Sequence, residues 1–136
     1  MNRGYEILPH TADLRIRGRG KTLAELFRNS LRGMAAVMQP QALERKPDAE
    51  REIAITSPYQ PTLLIDFLAE ALTLAQINSE VYTDVLFGEL TPNSLRAILS
   101  GVRVSELAED IKAVTYHNVE VKETDEGYEA TIIYDI

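Results

Sequence analysis

The sequence predicts an α+β fold: a two-layer sandwich in which two main amphipathic helices cover one face of a mostly antiparallel sheet. Two observations carry this expectation. Apolar stripes of helical period fall in the first part of the chain, and from Glu80 onward the pattern turns to short alternating runs separated by turn residues. The chain has 136 residues with no internal repeat or low-complexity stretch, which predicts a single domain over 1–136 with a core large enough to need no staple.

The elements follow in order. Gly4–Pro9 and Leu14–Gly18 read as two short strands separated by His10-Thr11-Ala12-Asp13. In the second, Leu14 and Ile16 alternate with Arg15 and Arg17, the period of a half-buried strand. Thr22 suits an N-cap, and Glu25 three residues later completes a capping box. The helix that follows places Leu23, Leu26, Phe27, Leu31, Met34, Ala35 and Met38 on one face. Because Met34 and Met38 share that stripe with leucines, they read as core filler rather than a ligand surface. Gln39–Glu50 carries Pro40 and Pro47 among polar residues and reads as a connecting loop with room for a turn of helix.

Glu52–Ser57 reads as a strand, and Pro61 opens a second helix running to about Ile77. Its inward residues are Leu64, Ile65, Leu68, Leu72 and Ala75. Asp66 and Glu70 share one side, where a solvated polar face explains them better than a metal site. Val81–Phe87 and Leu95–Val104 are strands around the turn Thr91-Pro92-Asn93. Tyr116–Lys122 and Tyr128–Asp135 form a last pair of strands, with Asp125, Glu126 and Gly127 suited to the hairpin loop between them.

Composition excludes several classes. Hydrophobic residues make up 45% and charged residues 26%, ordinary for a soluble globular protein. No cysteine is present, so disulfides and thiolate metal sites are ruled out, in keeping with a cytoplasmic location. The N-terminus lacks the apolar run of a signal peptide, and the tract Leu63–Ile77, interrupted by Asp66 and Glu70, is too short and polar to span a bilayer. The net charge of −7 repels phosphate backbones, so RNA contact is expected to be indirect, while cations or a basic protein suit such a surface.

Three stretches could carry chemistry. His10-Thr11-Ala12-Asp13 sets an imidazole, a hydroxyl and a carboxylate in a tight connection; alone, capping of turn N–H groups explains Thr11 or Asp13 better. The chain's last residues, Ala130 to Ile136, keep strand alternation to the end, which implies a pinned terminus. Pinning would hold the α-carboxylate of Ile136 beside the carboxylate of Asp135. Two such groups repel unless a cation or an arginine neutralises them. Hard oxygens without cysteine favour calcium, magnesium or manganese over zinc. The competing reading, with Ile136 an apolar plug and Asp135 solvated, stands level with it on composition. In the third stretch, Asp110 to His117, Lys112 and His117 lead into a strand. A lone strand histidine is more often structural, and two histidines in all cannot build a multi-histidine zinc site.

Taken together, the three stretches resemble the archease family, whose pattern has a His-Thr-Ala-Asp box, an Ile-Lys-Ala-Val-Thr-Tyr-His box and an Asp-Ile chain end. Here these stand as His10–Asp13, Ile111–His117 and Asp135–Ile136, and the lead-in Tyr5–Pro9 and the helix segment Leu64–Leu72 are also similar. The resemblance covers essentially the whole chain. It implies a divalent-cation site formed by Asp13, Asp135 and the terminal carboxylate of Ile136, with His10, Lys112 and His117 as functional neighbours and no catalytic residue. The span from Gly101 to Lys112 is shorter than in many members, and Asp110 stands where Glu is commoner.

What the resemblance implies about activity is a non-enzymatic role. Such a protein activates a GTP-dependent RNA ligase in tRNA splicing or RNA repair, promoting ligase guanylylation and multiple turnover. The alternative is a chaperone-like modulator of RNA-modifying enzymes such as methyltransferases. A stand-alone hydrolase using His10 or His117 with Asp13 ranks below both, since no serine or cysteine sits in a recognisable nucleophile elbow.

Overall fold

In the computed structural model, residues 3–9 and 13–136 are described; His10, Thr11 and Ala12 of the first box lie outside them. The α+β architecture is as expected, and its antiparallel strands divide into two sheets. The larger has the order β1-β2-β8-β6, formed by β1 (Tyr5–Leu8), β2 (Leu14–Gly20), β8 (Gly127–Asp135) and β6 (Ala113–Val114), with β7 (Lys122–Thr124) also on β8. The smaller has the order β3-β5-β4, from β3 (Ala49–Thr56), β5 (Ser94–Arg103) and β4 (Glu80–Leu90).

Helix α1 (Leu23–Met38) begins with the expected capping box. Thr22 Oγ accepts from the Glu25 N–H at 3.1 Å, and the Glu25 carboxylate accepts from the Thr22 N–H at 3.2 Å. Two otherwise orphaned donors are thereby satisfied. Thr22→Ala is expected to cost about 1 kcal/mol, read as a lower urea midpoint at unchanged slope. The predicted stripe is the buried one: Leu26, Phe27, Leu31, Met34, Ala35 and Met38 are all sealed from solvent. The helix lies unusually close to β2. A Cβ on Gly18 would sit 2.4 Å from Ser30 Oγ, and one on Gly33 would meet Ile16 at 2.8 Å.

Helix α2 (Gln60–Asn78) is not amphipathic in its first half. Leu63, Leu64, Ile65, Phe67 and Leu68 are all fully buried, on more than one side, because the helix packs against β3, β4, β6 and α1 together. Phe27 of α1, Phe67 of α2 and Phe87 of β4 meet with ring centroids 5.5–6.1 Å apart and join the two helices to the smaller sheet. Beside this core lies a buried charge. Glu80 is 1% exposed and accepts two hydrogen bonds from Arg51, at 2.9 and 2.8 Å, and a third from the Tyr82 hydroxyl at 2.7 Å. Among the described residues, no helix is long and apolar enough to cross a membrane.

One expectation is corrected. Tyr116–Lys122 is not a strand: the chain forms the short β6 before it, turns, and pairs again only from Lys122. Thr115 Oγ accepts from the His117 N–H, and Asn118 takes φ 51°, a left-handed conformation that asparagine tolerates. The alternating Val119 and Val121 that mimic a strand do pack on the core, but from a loop.

A carboxylate tip at the end of the larger sheet

Strand β8 holds the tip because it is flanked on both sides. Its Tyr134 is completely buried, paired with Leu14 of β2 on one side and Val114 of β6 on the other. The last residues are therefore pinned. The Asp135 carbonyl accepts from the Lys112 N–H at 2.8 Å, and the Asp135 side chain is left exposed.

The β2–β8 ladder ends at the pair Leu14 and Tyr134. Continuing that register by one residue sets Asp13 across from Asp135. Residues opposite one another in antiparallel strands project to the same face. Lys112 precedes the Ala113–Asp135 pair on the other flank, which brings it to the same sheet end as Ile136. Asp13, Asp135, Ile136 and Lys112 thus share one end of the sheet, and Ile136 is 38% exposed there. Arg15 Nε donates to Asp13 Oδ1 at 3.3 Å.

His117 is positioned differently. It sits on the exposed turn after Thr115, and its ring Nε2 faces the Asn118 amide at 3.2 Å. No hydrogen bond among the described residues joins it to Asp13 or Asp135. Among those residues, no three His, Asp or Glu side chains gather at metal-holding distance.

The second box is tied to α2 by contacts that sequence patterning does not reveal. Gln76 Nε2 donates to the Ile111 carbonyl at 3.1 Å, and the Tyr116 hydroxyl donates to Asp66. That bond, with some burial, raises the Tyr116 pKa above its ordinary value. Asp66 is therefore only partly the solvated residue its spacing implies: it anchors the loop carrying His117. Arg15 was also missed as a site residue, although its place two residues after Asp13 on the exposed face of β2 is readable from the alternation. An open groove of about 1370 Å³ is at the other end of this sheet, lined by Gly20, Gly127 and mixed charges such as Lys21, Glu25 and Glu126.

The fold and this tip define a small α+β domain that presents carboxylates from a pinned terminal strand. The chain belongs to the archease family: the model for the Archease protein family (MTH1598/TM1083) matches residues 5–136. It is 32% identical over 140 residues to protein archease of Methanosarcina acetivorans, covering 97% of this chain and 95% of that one. It is 33% identical over 132 residues to protein archease of Thermococcus kodakarensis, covering 92% of each. The solution structure of Methanobacterium thermoautotrophicum protein 1598 superposes with a TM-score of 0.81 at 28% identity, over 99% of this chain and 100% of that one. The crystal structure of a Thermotoga maritima archease, described as a possible chaperone, shares the fold with a TM-score of 0.66 at 18% identity and 95% and 94% coverage.

Proposed function

We propose that this protein is a cytoplasmic accessory factor that activates a GTP-dependent RNA ligase, using a divalent cation held by Asp13, Asp135 and the carboxylate of Ile136. What supports this reading is the strand register that carries Asp13 and Asp135 to one sheet end, together with family membership. The donor chemistry fits a hard cation: carboxylate oxygens, no cysteine, and an exposed setting that leaves positions for water or a partner's groups. A bound cation would supply positive charge for phosphate oxygens at the ligase's nucleotide site. The chain's own part is to hold the tip rigid, through β8 and the Lys112–Asp135 bond, and to dock it. Rigid positioning needs no nucleophile from this protein. RNA is met only through the ligase, consistent with the net charge of −7.

The test adds purified protein to such a ligase with GTP and a broken RNA, and follows ligase guanylylation and turnover. Stimulation is expected with the native chain and lost with Asp135→Ala; stimulation that survives the substitution removes the tip as the working surface. A second reading, a chaperone-like modulator of RNA-modifying enzymes, draws on the description of the Thermotoga maritima relative. Chelation separates the two, because a chaperone-like module retains partner capture without divalent cation.

A further inference from the structure

Three arginines, Arg15, Arg17 and Arg19, project from the same face of β2. Two of them are paired across strands. Arg17 meets Glu6 of β1 at 3.4 Å, and Arg19 meets Glu129 of β8 at 2.9 Å and Glu6 at 3.9 Å. These carboxylates stand opposite them in the ladders, since Glu6 pairs with Arg17 and Glu129 with Arg19. Arg15 is placed otherwise. Its cross-strand partners are the apolar Leu8 and Ile133, and its ion pair is with Asp13, beyond the end of its own strand.

Asp135 lies two residues beyond Ile133, on the same face, and so is the diagonal neighbour of Arg15. Diagonal positions are about 7–8 Å apart, within reach of an arginine side chain. Arg15 thus pairs with one carboxylate of the tip and is the diagonal neighbour of the other across the ladder.

Resting on the reading of the tip as a cation site, we propose that Arg15 is an internal counter-ion that competes with the divalent cation for Asp13 and sets the affinity of the site. In the cation-free protein its guanidinium pairs with Asp13. A cation entering between Asp13 and Asp135 must displace that guanidinium from Asp13 and is then repelled by it at short range. The consequence is a site that binds more weakly than its oxygens alone would, and that exchanges its cation more readily.

The experiment is calorimetric titration of calcium, and separately of manganese, into the native protein, Arg15→Gln and Arg17→Gln. Arg15→Gln is expected to bind about threefold or more tightly at low salt, the scale of losing an exposed ion pair together with a nearby like charge. The gain should shrink toward unity at about 0.5 M salt, where screening acts within a few ångströms. Arg17→Gln, whose partner is Glu6, should change affinity less. Equal or weaker binding by Arg15→Gln, with the native protein binding normally, overturns the proposal and leaves the cation site standing. Binding by neither the native protein nor Arg15→Gln overturns the cation reading itself, and this proposal with it. Circular dichroism of each variant confirms that the exposed side chain was removed without unfolding.

Discussion

At the proposed cation site, Asp135→Asn is expected to weaken calcium and manganese binding by about 100-fold or more while leaving the unfolding midpoint of the cation-free protein nearly unchanged. The affinity loss is large because a hard cation at so small a site depends on ligand charge, and one of the few carboxylates becomes a neutral amide. The fold survives because Asp135 contributes only its backbone to the sheet. Its carbonyl accepts from Lys112, its Cα pairs with Ala113, and its side chain is exposed. Asparagine preserves shape and backbone, so the substitution tests charge alone. The measurement is calorimetric affinity beside thermal unfolding with and without calcium. A variant that binds as tightly as the native protein would take Asp135 out of the ligand set; one that unfolds without cation would make its role structural.

The second large effect is on stability. Glu80→Ala is expected to destabilise the protein by about 3 kcal/mol, lowering Tm by about 10 °C. The Glu80 carboxylate is buried and accepts from Arg51 twice and from Tyr82 once, so its removal breaks all three bonds and leaves the buried Tyr82 hydroxyl without this acceptor. The same group predicts the acid limb of the stability curve. The Arg51 hydrogen bonds, followed by that of Tyr82, outweigh burial and hold the Glu80 carboxyl below its ordinary value of 4.5. The unfolded chain therefore takes up this proton first. The stabilisation is complete above about pH 4.5 and is lost as pH falls through the depressed folded value. Tyr82, by contrast, is pushed up to about 12 by burial and then by the Glu80 bond, and it remains a donor throughout the neutral range. Urea unfolding between about pH 3 and pH 6 should show a steeper acid loss in the native protein than in Glu80→Gln. Parallel curves would assign the acid limb to other carboxylates.

Where the sequence was legible, local physics was decisive. The capping box at Thr22 and Glu25 needs residues three apart, and the burial of α1 follows a stripe readable without neighbours. The same holds for the alternation in β2. Reading failed where a partner elsewhere decided the outcome. The valines at 119 and 121 alternate as a strand would, yet Thr115 and Asn118 shape the segment as a turn first. The near-continuous burial of the first half of α2 could not be read from a one-sided helix pattern, because α2 packs against four strands and a helix. The Arg51–Glu80–Tyr82 cluster gave no linear signal, with its acid and base 29 residues apart.

For the tip, the amino-acid sequence alone determined the chemical types: two aspartates, no thiol, and a final strand apolar enough to be pinned. Those properties are local, set by side-chain chemistry and period. The tertiary structure decided adjacency. Only pairing of β2 with β8 carries residue 13 to residue 135, and only that register makes Arg15, already paired with Asp13, the diagonal neighbour of Asp135. Register is a property of two strands together, set by which faces they bury. A one-residue slip would send these groups to opposite sides of the sheet.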